Sequence, residues 1–422
     1  MRERPAIHRA AWLLVLPTAL HMNIAHAQDL SPGGPPDAAG SRAQPDYDPL
    51  GIRVGAIDIL PTVTLSGAYD SNVFAASENT KSDFSYVIAP AITASTTNDR
   101  RTVSLSGSAR IRRYDKFEDQ NDEQYFVNGA GRLNFGDHGS LQASAGWSQA
   151  TAARGTYQNT LQQGSPLREE RLTAAVVSDY RINRLRINAR MGVEKFDYDD
   201  ILFDDGLVLD QDYRDGTRIN SSLSAYYAIS ARFSVLVQGN VEKFDYQDPD
   251  PIRNRDALGY SVTAGGLYEI TELFSAELSA GYRRHNFNNS LYKDIPGFAL
   301  NGRLRWYPTP LVTVRMDLSQ NTDTSTVPLV TAVSVSTAAL SGDYELRRNV
   351  LVTGRLQYSH EHYGGVDANS DFMSASVRGN WKFNRWLRLG GDLTYDRRTS
   401  AQRIPISRFD AVRGMLSVTL AR

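Results

Sequence analysis

Arginines at alternate positions are the residues in this chain best placed to do chemistry. Arg110 and Arg112, Arg186 and Arg190, and Arg303 and Arg305 recur within runs that place an apolar residue beside each of them. A guanidinium is ionised at every physiological pH, and its rigid fork of donors matches carboxylates and phosphates. Arg132, Arg218, Arg283, Arg315, Arg355, Arg378 and Arg388 occupy matching positions, with Arg171 beside them. Glu277 and Asp317 share the pattern. Together with Glu194, Glu269, Glu361 and Asp392 they form the smaller acidic set that could pair with these arginines. Rings of such charges set the selectivity of a pore, and arginine favours anions. Lys and Arg number 46 together, yet only Lys81, Lys116, Lys195, Lys243, Lys293 and Lys382 are lysines.

Other reactive groups do not assemble. There is no cysteine, which removes disulfides, thiolate zinc sites and cysteine nucleophiles together. His360-Glu361-His362 has a metal-like composition, but nothing else in the sequence converges on it. The stretch from Asp197 to Asp215 is rich in aspartate, and hard cations take such oxygen ligands, but its spacing is not that of an EF-hand loop. It reads as a solvated outer loop, bridged to lipopolysaccharide by divalent ions. No serine, histidine and acid stand in a hydrolase order, so neither an enzyme nor a metal or cofactor is expected. A net charge of −1 offers no basic face for nucleic acid.

The elements that must hold the arginines have a period of two. Val312, Val314, Met316 and Leu318 share a face opposite Thr313, Arg315, Asp317 and Ser319. Phe274, Ala276, Leu278, Ala280 and Tyr282 oppose Glu277, Ser279, Gly281 and Arg283. Successive strand residues point to opposite sides, so each segment has one apolar and one charged face. The segments run about 14–18 residues, where soluble strands average about 5–6. Tyr, Phe and Trp gather near segment ends, at Trp306-Tyr307, Phe244 and Tyr246, Phe196 and Tyr198, and Trp381 and Trp386, as interfacial girdles do. A mean hydropathy of −0.40 suits an alternating wall with one lipid face and one wet face. A soluble two-domain sandwich is the competing fold.

Compact turns fall at Asn98-Asp99, Gly136 to Gly139, Asn183-Arg184, Ser230 to Arg232, Thr271-Glu272, Thr309-Pro310, Arg347 to Asn349 and Asn384-Arg385. Longer polar stretches alternate with them, including 154–168, 199–214 and 247–256. Short turns on one side and long loops on the other are the pattern of an outer-membrane barrel. The expectation is an all-β, antiparallel, up-and-down transmembrane barrel of about 18 strands, with 16 as the alternative. It would occupy 57–422. Residues 1–27 read as a cleaved secretory leader: Arg2, Arg4 and Arg9, an apolar Ala10–Leu20, and the small-x-small Ala25-His26-Ala27. Residues 28–56, with Ser31-Pro32-Gly33-Gly34-Pro35-Pro36, read as an unstructured periplasmic lead-in. Loops 154–168 and 199–214 are long enough to fold in as constrictions.

One repeat stands out. Val193-Glu194-Lys195-Phe196-Asp197-Tyr198 recurs as Val241-Glu242-Lys243-Phe244-Asp245-Tyr246, one hairpin later. Both copies read as the same exit from strand to outer loop, with the aromatics anchoring at lipid headgroups.

The start of the alternating region carries a family resemblance. Tyr47-Asp48-Pro49-Leu50-Gly51-Ile52-Arg53-Val54-Gly55 is followed by Pro61, Tyr69-Asp70-Ser71-Asn72-Val73-Phe74, Lys81-Ser82-Asp83-Phe84 and Pro90. These motifs resemble the putative β-barrel porin-2 family of proteobacterial outer-membrane proteins, with Ser71 where an acidic residue is usual. The resemblance implies location in a Gram-negative outer membrane and association with exopolysaccharide or capsule synthesis, and it supplies no catalytic motif. The leading expectation is a channel exporting an exopolysaccharide or capsular polysaccharide. The alternative is a passive diffusion porin for small anionic or sugar solutes, and an outer-membrane enzyme is a third reading. Expected partners are outer-membrane lipids and lipopolysaccharide, the polysaccharide chain, and periplasmic export or co-polymerase proteins.

Overall fold

The computed structural model describes residues 39–422, apart from 41, 99, 137, 249, 251–253, 272, 324–329, 367, 402, 403, 405 and 407. The leader at 1–27 therefore lies outside the described residues, as does the lead-in through residue 38.

Eighteen long strands form the wall. They are β1 Ile57–Asp70, β2 Asp83–Thr97, β3 Arg101–Tyr114, β4 Asp122–Asn134, β5 Gly139–Thr151 and β6 Arg168–Ile182. Next come β7 Leu185–Tyr198, β8 Gly216–Ala228, β9 Phe233–Tyr246, β10 Ala257–Thr271, β11 Phe274–Phe287 and β12 Ile295–Thr309. The last are β13 Val312–Asp323, β14 Val333–Arg347, β15 Val350–Tyr363, β16 Ala368–Lys382, β17 Leu387–Arg398 and β18 Phe409–Ala421. Each pairs antiparallel with its chain neighbour, and β18 returns to β1 from Thr62↔Ala421 to Asp70↔Arg413. The strands thus close into a barrel, so each long strand has a ladder partner on both sides, as a lipid environment requires. A short strand, Ile52–Val54, folds back on β1 only.

All eight compact turns join the strand pairs expected of them. At Asn183 the φ of 51° is left-handed, a conformation asparagine tolerates and the tight β6–β7 turn uses. The strands are 12 to 15 residues long, shorter than the alternation suggested. A tilted strand needs only about 9–11 residues to cross a bilayer.

Faces follow from the register. Leu105, Leu223, Val262 and Leu278 are all more than half exposed and point outward. Removing such a side chain from water is worth about 1.5–3 kcal/mol, so this face belongs in lipid. Trp306, Trp381 and Trp386 form an aromatic girdle at the turn end. At the loop end, outward aromatics donate to carboxylates: Tyr125 to Glu123, Trp147 to Glu170, Tyr358 to Asp371 and Tyr395 to Asp410. This second girdle thus carries a charged collar, the arrangement expected where hydrocarbon gives way to headgroups.

The candidate channel lumen

All fifteen charged residues singled out for the lumen stand on the inward register. Paired positions make this explicit: Arg112↔Asp122, Thr102↔Arg132, Arg218↔Glu194, Glu277↔Arg303, Arg305↔Arg315 and Arg378↔Asp392. Arg110 lies two residues from Arg112 on β3. Arg186 and Arg190 share β7, Arg283 is on β11, Asp317 on β13, Arg355 on β15 and Arg388 on β17.

They divide by partner. Arg171 bridges Glu169 and Glu194, and Arg218 also binds Glu194, so one carboxylate is held between two guanidiniums. Arg186 meets Asp179 at 2.8 Å, Arg378 meets Asp392 at 3.0 Å, Arg303 meets Asp317 at 3.9 Å and Arg112 meets Asp122 at 4.0 Å. Arg315 binds Asp343. These pairs stiffen the wall and cancel much of its charge. Arg110, Arg132, Arg190, Arg283, Arg355 and Arg388 have no carboxylate at ion-pair distance among the described residues; Arg132 donates instead to Asn134 and Ser140, and Arg355 to Gln357.

The sequence reading undercounted acids in the lumen. Asp122, Asp179, Glu242, Asp343 and Asp396 also face inward, and so do the basic residues Arg398 and Arg413. Charge is therefore not divided simply between a basic lumen and acidic loops. Arg398 and Glu361 form a pair at 2.6 Å in which each is 2% exposed.

The repeated motif also corrects an expectation. Phe196, Tyr198, Phe244 and Tyr246 point into the barrel, not toward headgroups, and are buried. They share parity with Arg190, Glu194 and Glu242, so the residues reaching lipid are Val193, Lys195 and Asp197 and their counterparts in the second copy. Phe244 and Tyr246 lie nearly parallel at 6.4 Å, and Tyr246 meets Phe196 at 6.0 Å. Leu167, Ile201 and Ala257 complete this small core at the outer mouth.

Beneath it lies a cavity of about 400 Å³ lined by Arg190, Arg218, Glu194, Glu242 and the amides Asn220, Gln238, Asn240 and Asn301, with Phe244 at its rim. Arg190 Nη2 is buried there with no acceptor among the described residues. A buried donor of this kind calls for an acceptor from elsewhere. Amides and guanidiniums beside an aromatic face can hold a hydroxylated, carboxylated ring.

Both ends of the lumen are narrowed. The loop between β5 and β6 folds inward: Tyr157 Oη and Gln158 Nε2 donate to Asp323 at 3.1 and 3.2 Å, and Arg154 binds Gln120 Oε1. Arg214, in the β7–β8 loop, is 1% exposed, stacks 3.8 Å from the Tyr198 ring centroid and donates to the Gln158 carbonyl. At the other end, residues expected to be unstructured lie on the wall. The Ala39 amide donates to Thr313 Oγ1 at 2.9 Å, Arg42 pairs with Glu345 at 3.3 Å, and Lys382 pairs with Asp48 at 2.7 Å. Gly51 and Gly55, at φ 71° and 61°, turn this segment into β1.

The metal-like clusters resolve in two ways. His360 and His362 face outward, bound to Asp371 and Asn369, while Glu361 points inward to Arg398. In the acidic loop, Asp200, Asp210 and Asp212 bring carboxylate oxygens within 4.8 Å of one another, all exposed. Asp215, beside them, is pushed up to about 6 by burial and by its acidic neighbours, against the pull of the Tyr198 amide it accepts from.

A family model described as putative beta-barrel porin 2 matches residues 44–422. No curated protein matches the sequence. Among solved structures, OccK1 (OpdK) of Pseudomonas aeruginosa is similar at 11% identity and a TM-score of 0.43, covering 86% of this chain and 99% of its own. A BenF-like porin of Pseudomonas fluorescens Pf-5 gives 10% and 0.45, with 86% and 99% covered. A variant of the ferric enterobactin receptor PfeA of Pseudomonas aeruginosa gives 8% and 0.46, with 88% and 81% covered.

Proposed function

The chain belongs to the putative beta-barrel porin 2 family, and from that premise we propose that it is a gated outer-membrane channel for acidic saccharides. Its substrate on this reading is the chain of an acidic exopolysaccharide or capsular polysaccharide on its way out of the cell.

One observation carries the reading. The lumenal cavity sets Arg190, with a buried donor that has no acceptor among the described residues, among Asn220, Gln238, Asn240 and Asn301 and under an aromatic rim. Arginine answers a uronate carboxylate, amides answer ring hydroxyls, and an aromatic face answers the apolar face of a sugar. Covered mouths at both ends favour a substrate admitted on demand over free diffusion. Periplasmic export or co-polymerase proteins are the partners this reading implies, meeting the Ala39–Asp48 segment at the periplasmic end.

Uptake of small acidic sugars is the second reading, and the modest volume of the cavity favours it. Deleting the gene separates the two. Loss of secreted polysaccharide with periplasmic accumulation supports export; unchanged polysaccharide with slower uptake of a monomeric uronate supports the porin. Neither reading includes catalysis.

A further inference from the structure

The barrel wall has a seam between β12 and β13. Their ladder runs from Gly302↔Leu318 to Thr309↔Val312 and includes no pairs between Ile295–Asn301 and Ser319–Asp323. On its other side β12 stays paired with β11 as far as Ile295, and β13 stays paired with β14 as far as Asp323. The opening therefore lies between β12 and β13, in the outer half of that interface, and the two adjoining interfaces stay paired alongside it. Pro296, which has no N–H to leave unpaired, lies within it.

Arg283 passes through the seam. Its backbone is on the lumen register of β11, yet Nη1 donates to Thr322 Oγ1 at 2.8 Å and Nη2 to Ser334 Oγ at 2.9 Å. Thr322 and Ser334 are paired and face outward, because the flanking Val333 and Val335 fill the lumen-side core. Gly297 leaves the room: a Cβ there would lie 3.1 Å from Arg283 Nε. On the outer side is a second cavity of about 390 Å³, which shares Arg283, Ile295 and Gln320 with the lumenal one. Lys293, Ser336, His360 and His362 also line it. Its one carboxylate, Asp294, is held by Arg284 at 2.7 Å.

Height and polarity indicate what fits. The outward girdle residues Tyr282, Phe298 and Tyr358 lie on the turn side of these polar groups, so the cavity opens at headgroup level. Acyl chains would gain little from a lining of arginine, lysine, serine, glutamine and histidine, and unpaired strand backbone cannot face hydrocarbon. Arg283 donates to two neutral hydroxyl oxygens and has no ion pair among the described residues, and Lys293 is exposed beside it. We propose that this seam is a binding site for the phosphate of an outer-leaflet glycolipid headgroup, held by Arg283 from within the wall and by Lys293 from outside. The site faces lipid, so it stands or falls separately from the saccharide reading of the lumen.

The test is native mass spectrometry of the detergent-solubilised full barrel with added diphosphoryl lipid A or its dephosphorylated form. The native protein should retain the phosphorylated lipid at least about tenfold better than Arg283→Gln or Lys293→Gln, the scale of one charge-assisted hydrogen bond. Lys293 lies in a loop, so its variant keeps the test valid if Arg283→Gln fails to fold. Equal retention by native and Lys293→Gln protein, or equal retention of the dephosphorylated lipid, would overturn the proposal. Inorganic phosphate bound by the native protein and lost in Lys293→Gln, with no retention of lipid A by either, would overturn the lipid as the occupant and assign the site to a free anion.

Discussion

The Tyr157 hydroxyl donates to the Asp323 carboxylate at 3.1 Å, tying the loop after β5 to the outer end of β13. Gln158 donates to the same oxygen, so one carboxylate latches the inward fold of the loop. A hydrogen bond to a charged group is worth about 1.5–3 kcal/mol. Asp323→Ala should therefore shift the loop toward an open state by about tenfold or more. Single-channel recording would show longer and larger openings, and an unchanged trace would remove the loop from the gate.

Arg398 and Glu361 offer a stability test. Both are almost wholly buried, and Tyr363 Oη also donates to Glu361, at 2.6 Å. Removing one partner leaves the other charge buried and alone, at a cost of about 3–5 kcal/mol. Glu361→Leu should unfold at clearly lower denaturant, read by heat-modifiable gel migration, while Glu361→Leu with Arg398→Met should recover most of the loss. A double variant as weak as the single one would contradict this.

The acidic loop should respond to pH. In the folded protein Asp215 binds its proton up to about 6, against an ordinary value of 3.8. The folded state thus holds a proton that the unfolded loop releases, so ordering is favoured below the ordinary value and weakens as pH rises through about 6. Hydrogen-exchange protection across 199–215, taken relative to the intrinsic exchange rate at each pH, should be greater at pH 5 than at pH 7. In Asp215→Asn this difference should shrink. A loop equally protected at both pH values would rule out the linkage.

At the periplasmic end, Arg42→Ala with Asp48→Asn removes the pairs to Glu345 and Lys382. Each is a partly exposed contact of about 1 kcal/mol or less, so global stability should hardly move. Conductance should rise as the segment leaves the wall. Unchanged conductance together with unchanged protease protection of residues 39–50 would show that other contacts hold it.

Much of the barrel was legible because period two and turn chemistry are local properties. Asn183 marks its turn by tolerating a left-handed φ, and Arg186 and Arg190 mark the wet face by parity with each other. Parity also held the correct orientation of Phe196 and Tyr198, which fall on the same side as Glu194; the habit of placing aromatics at headgroups masked it. Asp396 was missed in the same way, two alternate steps beyond Asp392. Other features had no local signal. The Tyr157–Asp323 latch joins residues 166 apart. The seam at Arg283 depends on a missing ladder between strands whose own alternation looks ordinary.

Selection of acidic saccharides by lumenal arginines that have no carboxylate partner among the described residues, Arg190 above all, has a direct electrical readout. Planar-bilayer recording of the purified barrel under a salt gradient, with an oligouronate or a neutral oligosaccharide of equal length added, tests it most directly. The expected result is an anion-selective reversal potential and block by the oligouronate alone, weakened about tenfold in Arg190→Gln. Cation selectivity, or equal block by the neutral sugar in native and Arg190→Gln channels, would contradict it.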